Sequence, residues 1–116
     1  MEEPGRQVTK KGVPMSNFVS HLSKDAAAVQ GDMFLVLRNK TRLRIIDLLT
    51  RYGGLLCVVE IAEVLEEKTS VISSHLALLW DAKLVSREMH GTFAYYTLNE
   101  GILDQYKQFL EQLTSP

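Results

Sequence analysis

The spacing of apolar residues changes its period once, at Ala82-Lys83, and that change limits the fold more than any other feature of the chain. Before it, Ile72, Leu76 and Leu79 recur every three or four residues, the spacing of one buried helical stripe. After it, Val85, Arg87 and Met89 alternate with Ser86 and Glu88, and Phe93, Tyr95 and Thr97 alternate with Ala94, Tyr96 and Leu98. Alternation of period two predicts two strands. His90-Gly91 lies between them, and glycine reaches the positive φ of a tight turn without a steric clash. A helix therefore runs directly into a β-hairpin.

The second face of that helix carries Ser70, Ser73, Ser74 and Ala77. Short hydroxyl side chains exchange hydrogen bonds with base edges and phosphate oxygens, and their size lets a helix backbone sit deep in a major groove. Val71 and Ala77 suit a thymine methyl. The same face also fits an ordinary solvated amphipathic helix, but the hairpin that follows favours the winged variant of helix-turn-helix. The reading helix is expected over residues 69–82 and the wing over 85–98.

Upstream, residues 1–15 mix Pro, Gly and charge without periodicity and are expected to be a disordered tail, with one domain over 16–114. Phe18, Leu22, Ala26 and Val29 predict a first helix from about Asn17, capped by Ser16 or Asn17 and broken or bent at Gly31-Asp32. Met33, Phe34, Val36 and Leu37 then resume an apolar segment. Asn39 is placed as an N-cap before Leu43, Ile45, Ile46, Leu48 and Leu49, and Gly53-Gly54 ends that helix. Val58, Ile61, Ala62 and Leu65 mark a shorter helix, joined to the reading helix by a turn at residues 66–69. Past the wing, Asn99 caps a last helix with Ile102, Leu103, Tyr106, Phe109, Leu110 and Leu113 on a wide apolar stripe. The expected class is mainly α with a β-hairpin wing, in the order α-α-α-α-β-β-α. A last helix beyond a complete winged core suggests dimerisation through the terminal helices, using Phe18, Leu22, Leu103, Tyr106, Phe109, Leu110 and Leu113. The alternative is that both terminal helices fold back on their own chain.

Charge and chemistry narrow the function. The 116 residues, 46% hydrophobic and 23% charged, suffice for one core without disulfide staples. No stretch approaches the roughly 18 apolar residues of a membrane span, and no signal peptide is evident, so a cytoplasmic protein without membrane contact is expected. Net charge is −1, which weighs against DNA, although Arg38, Lys40, Arg42 and Arg44 cluster at one helix start and Lys68, Lys83 and Arg87 lie nearer the reading helix. Cys57 is the single cysteine, which excludes an intramolecular disulfide and a thiolate zinc cluster within one chain. Its apolar neighbours favour a buried structural thiol over a redox sensor. No nucleophile with a base and no Gly-rich phosphate loop is visible, so an enzyme is not expected. No cofactor is expected either.

Four segments in order, LRNKTRLRIIDLL (37–49), LLCVVEIAEVL (55–65), SSHLALLWDAKLV (73–85) and TFAYYTL (92–98), resemble the ArsR/SmtB (arsenical-resistance repressor) winged-helix family over about residues 33–113. The resemblance implies a homodimer built by the first and last helices. It would bind a pseudo-palindromic double-stranded DNA operator as a repressor that an inducer releases, its two reading helices about 34 Å apart. It places Thr69, Ser70, Ser73 and Ser74 in the groove and His90, Gly91 and Thr92 against the backbone or minor groove; the charge cluster from Arg38 to Arg44, Arg42 within it, is expected to give basic help. His75 matches a recurrent histidine of that helix and either touches DNA or closes a local hydrogen bond.

Departures from the pattern carry information. The thiolate metal motif keeps Cys57 but has Val59 at its second place, and the terminal-helix metal site reads Glu100, Ile102, Leu113 and Pro116, so no metal site of either kind is expected. His21 is read as a surface or interface histidine rather than a ligand. Thr92 stands where an arginine is common, Lys83 where a turn glycine is usual, and Trp80 where a basic residue is usual. Fewer phosphate contacts and a shallower salt dependence follow. A protein-binding winged-helix module with weak or no DNA binding remains the alternative.

Overall fold

A computed structural model describes residues 7–115. The chain divides into two compact units, Met1–Gly31 and Asp32–Pro116. In the first, the Val8 and Pro14 backbones bridge around a turn with Gly12 at φ 82°, and Met15–Asn17 forms one 3-10 turn.

Helix α1 spans Lys24–Val36, α2 Lys40–Tyr52, α3 Val58–Leu65, α4 Thr69–Asp81 and α5 Glu100–Thr114. The strands are β1 Leu56–Cys57, β2 Val85–His90 and β3 Phe93–Leu98, in one antiparallel sheet of order β1-β3-β2. This is a winged helix-turn-helix, mainly helical, as the periodicity predicts. Among the described residues, no helix is long and apolar enough to cross a membrane.

The expected first helix is corrected at both ends. It does not start at Asn17: Phe18 is extended and exposed, and the Ser20 hydroxyl accepts from the Leu22 N–H, holding a turn where a helix was expected. Such hydroxyls compete with helical backbone bonding. The cap is Ser23, whose hydroxyl accepts from the Ala26 N–H at 3.1 Å. Gly31-Asp32 lies inside α1 and does not break it, because a mid-helix glycine costs only about 1 kcal/mol relative to alanine.

Elsewhere local signals and structure agree. Asn39 caps α2, its side-chain oxygen accepting from the N–H groups of Thr41 and Arg42, and Gly53 ends the helix at φ 73°. One stripe of each helix from α2 to α4 supplies the core: Ile45 and Leu49, then Ile61, Ala62 and Leu65, then Ile72, Leu76 and Leu79, closed by Leu56, Leu84, Val85 and Tyr96. Glu66, left-handed at φ 56°, turns α3 into α4. The Arg44 guanidinium donates to the Leu65 carbonyl at this turn. Strand β1 is an addition to the expected order, and it pairs Leu56 with Tyr96 and Cys57 with Tyr95. Helix α5 packs on its own unit through Tyr106, whose hydroxyl donates to the Met33 carbonyl at 2.9 Å and whose ring meets Phe34 edge-on.

Candidate nucleic-acid interface

Burying Ile72, Leu76 and Leu79 fixes which side of α4 faces outward. Thr69, Ser70, Ser73, Ser74 and Ala77 are all exposed on that side, so the polar stripe expected from spacing is a real surface. Its hydroxyls are not equivalent. Ser74 donates its proton to the Ser70 carbonyl at 3.0 Å and presents lone pairs, whereas Ser70 and Ser73 have no such internal bond. At its N-terminus α4 begins after Lys68, which makes no side-chain cap; the Val71 N–H meets the Lys68 carbonyl, and the N–H groups of Thr69 and Ser70 are left unbonded among the described residues. Unpaired N–H groups at a helix start favour anionic oxygen.

His75 and Arg42 meet below this surface. Both are half-buried, with Arg42 Nη1 3.3 Å from His75 Nδ1 and Arg42 Nε donating to the Val36 carbonyl at 2.7 Å. Arginine has only donors, so the imidazole Nδ1 accepts. One side chain on α2 thus ties the end of α1 to α4. This is the local hydrogen bond left open for His75, and it commits part of the Arg42 guanidinium to holding the helices.

In the wing, the sequence placed the tip at His90-Gly91. The ladder instead runs to His90 opposite Phe93, and the two turn residues are Gly91, at φ 63°, and Thr92. His90 is paired in the ladder, and its side chain also meets its neighbours, with Nε2 3.2 Å from a Glu88 carboxylate oxygen and its ring against Tyr95. His90, Gly91 and Thr92 are all exposed.

The apolar residues expected at a subunit contact fall into different settings. Tyr106 is buried within its own unit, and Leu103 and Phe109 are half-buried. Leu110 and Leu113 are exposed on α5, Phe18 is exposed and Leu22 half-buried outside α1. Phe34, Leu37, Leu98, Leu103 and Leu110 line an open groove of about 530 Å³ in the second unit.

Cys57 is half-buried rather than fully buried and precedes α3, where Glu60 accepts its backbone N–H at 3.0 Å. That N–H, followed by the Cys57 side chain, holds the Glu60 carboxyl below its ordinary range. The second position of the thiolate pattern is the exposed Val59, and the described residues bring together no group of three His, Cys, Asp or Glu side chains suited to a metal.

Spacing alone missed one arrangement. The Arg87 guanidinium lies 4.1 Å above the Trp80 ring, linking the end of α4 to β2. Between them Lys83 is left-handed at φ 63°. The glycine usually found there was a signal for this turn, but nothing in the spacing pairs Trp80 with Arg87.

Comparisons with known proteins agree with this geometry. Residues 39–87, from the α2 cap into β2, match the model of the bacterial regulatory protein arsR family. An arsenical resistance operon repressor of Bacillus subtilis is 39% identical over 67 residues, 58% of this chain and 63% of that protein. The chain thus spans less than two thirds of that relative. The transcriptional repressor SdpR of the same organism is 36% identical over 72 residues, covering 62% of this chain and 78% of SdpR. Among solved structures, Mb0332 from Mycobacterium bovis, described as a homodimeric winged helix-turn-helix DNA-binding domain, superposes with a TM-score of 0.61. It shares 25% identity, covering 85% of this chain and 94% of that one. A family model seated on the helix-turn-helix core, and repressors similar across most of their own length, lead to one conclusion: this chain belongs to the arsR family of bacterial regulatory proteins, which are regulators and not enzymes.

Proposed function

We propose that the protein is a DNA-binding transcriptional repressor that acts as a homodimer on a pseudo-palindromic operator in the cytoplasm. The observation that carries this reading is the exposed hydroxyl face of α4, continuous with a hairpin wing and set on the same buried core. Thr69, Ser70, Ser73 and Ser74 read the groove, and the wing meets the backbone through His90, Gly91 and Thr92. Arg42 and His75 act one layer below, fixing the angle of α4. Leu110 and Leu113 of α5, with the exposed Leu35 of α1, provide apolar surface for the second copy, in keeping with a structural relative described as homodimeric. The inducer is not a metal bound by the thiolate motif, since Cys57 lacks a second thiol.

The test uses DNA selected by the protein from a random pool. Ser73→Arg or Ser74→Asp is expected to abolish binding in a mobility-shift assay while sedimentation shows the same assembly. Unchanged binding by both variants removes the reading. A net charge of −1 and an uncharged turn at Gly91-Thr92 favour a second reading, a protein-binding winged-helix module. A protein partner that no DNA displaces at low salt would select it.

A further inference from the structure

We propose that Lys83 and Arg87, with Trp80 as their platform, form a phosphate-binding position at the far end of the reading helix. It replaces contacts that the uncharged wing turn does not make. The proposal rests on the DNA-binding reading and adds to it a second place where the protein holds the backbone.

Position on the helix comes first. Trp80 is seven residues beyond Ser73, and at 100° per residue it returns to the same exposed stripe about 10 Å further along the axis. A major groove is about 12 Å wide, so where the axis of α4 crosses the groove with Ser73 seated in it, this end of the helix comes to the sugar-phosphate chain at the border. Trp80 is itself 42% exposed. The indole therefore occupies the edge of the proposed contact surface.

Chemistry comes second. The Arg87 guanidinium lies over the Trp80 ring, 4.1 Å from its centroid, and makes no side-chain hydrogen bond or ion pair among the described residues, so its N–H groups are available to a phosphate. Lys83 and Arg87 line the same shallow hollow, of about 440 Å³, with Asp81 at its border. Neither cation has a carboxylate within ion-pair distance among the described residues, Asp81 included. Two unneutralised cations in one depression attract a polyanion rather than a neutral ligand.

Backbone strain is the third observation. Lys83 sits at φ 63°, after the end of α4, where its N–H meets the Trp80 carbonyl and that of Leu84 meets the Leu79 carbonyl. Helix ends of this kind favour glycine, and a lysine there is strained. A strained side chain on the same hollow as an unpaired arginine points to a role beyond the turn.

The experiment measures binding of the full chain to sheared, mixed-sequence DNA over a range of salt, because phosphate contacts do not depend on sequence. Losing one contact from each protomer of a dimer should make the log–log salt slope shallower by about 1.8, at about 0.9 per contact. That result is expected for Lys83→Gly and for Arg87→Gln. Lys83→Gly should also melt at a higher temperature, so its lost affinity cannot come from unfolding. Trp80→Phe should keep most of the affinity and Trp80→Ala should not. Because Trp80 is the single tryptophan, its emission should change when DNA is added. Binding that persists with an unchanged slope in both Lys83→Gly and Arg87→Gln overturns the phosphate position and leaves the DNA reading standing. No salt-dependent binding by the unaltered protein overturns both.

Discussion

The middle helices and the terminal helices of this chain use similar amounts of apolar residue to different ends. In α2, α3 and α4 the apolar stripe turns inward, and Ile45, Ile61, Ile72, Leu76 and Leu79 lose all contact with solvent. In α1 no side chain is fully buried, and in α5 only Tyr106 is, while Leu35, Leu110 and Leu113 keep about half of their surface in water. The middle helices also keep apolar residues in water, Leu43, Val59, Val64 and Leu78 among them, but each sets a fully buried stripe beside them. The terminal pair has almost no buried stripe to set against its exposed apolar residues, which suits the subunit contact proposed above.

The contrast breaks most visibly in the core. Leu76→Ala should cost about 2–5 kcal/mol of unfolding free energy, read from denaturant midpoints, because a fully enclosed side chain leaves a cavity. Leu113→Ala should change monomer stability by no more than about 0.5 kcal/mol but weaken self-association, measured by sedimentation over a dilution series. Equal effects of the two on unfolding would erase the distinction between middle and terminal helices. Asn39→Ala should cost about 1 kcal/mol, since it leaves the N–H groups of Thr41 and Arg42 without their cap.

The last effect shows itself at high pH and concerns a tie between α5 and its own unit. Burial raises the Tyr106 hydroxyl above its ordinary value of 10.0, and the bond to the Met33 carbonyl requires the proton. A raised folded value means that the stabilisation is whole below about pH 10 and is lost as pH rises through the folded value. Alkaline unfolding should therefore steepen above that pH, and Tyr106→Phe should remove the dependence while costing about 1 kcal/mol at neutral pH.

These regions also differ in how far the sequence discloses them. The middle helices were legible because each boundary has a local cause: Asn39 and Gly53 bracket α2, and the change of period at Ala82-Lys83 separates α4 from the hairpin. The hydroxyl face of α4 followed from the same spacing. The start of α1 was not legible, because Phe18 and Leu22 have helical spacing while Ser20 and Ser23 provide competing turn bonds, and spacing does not rank the two. Strand β1 is too short to show any period, and only pairing with Tyr95 and Tyr96 makes it a strand. Arg42 with His75 and Trp80 with Arg87 are contacts across elements, set by the packing angle of the helices and the sheet rather than by any local pattern.

Strand β1 also settles the mechanics of the hairpin. Its pairing with β3 at Tyr95 and Tyr96 clamps the root, so the free cantilever runs only through Met89 opposite Ala94 and His90 opposite Phe93 to the turn. A lever that short has little compliance. In the proposed complex with DNA the adjustment of fit would then fall on the duplex, and sequences that bend cheaply toward the tip would gain affinity at base pairs that no side chain touches.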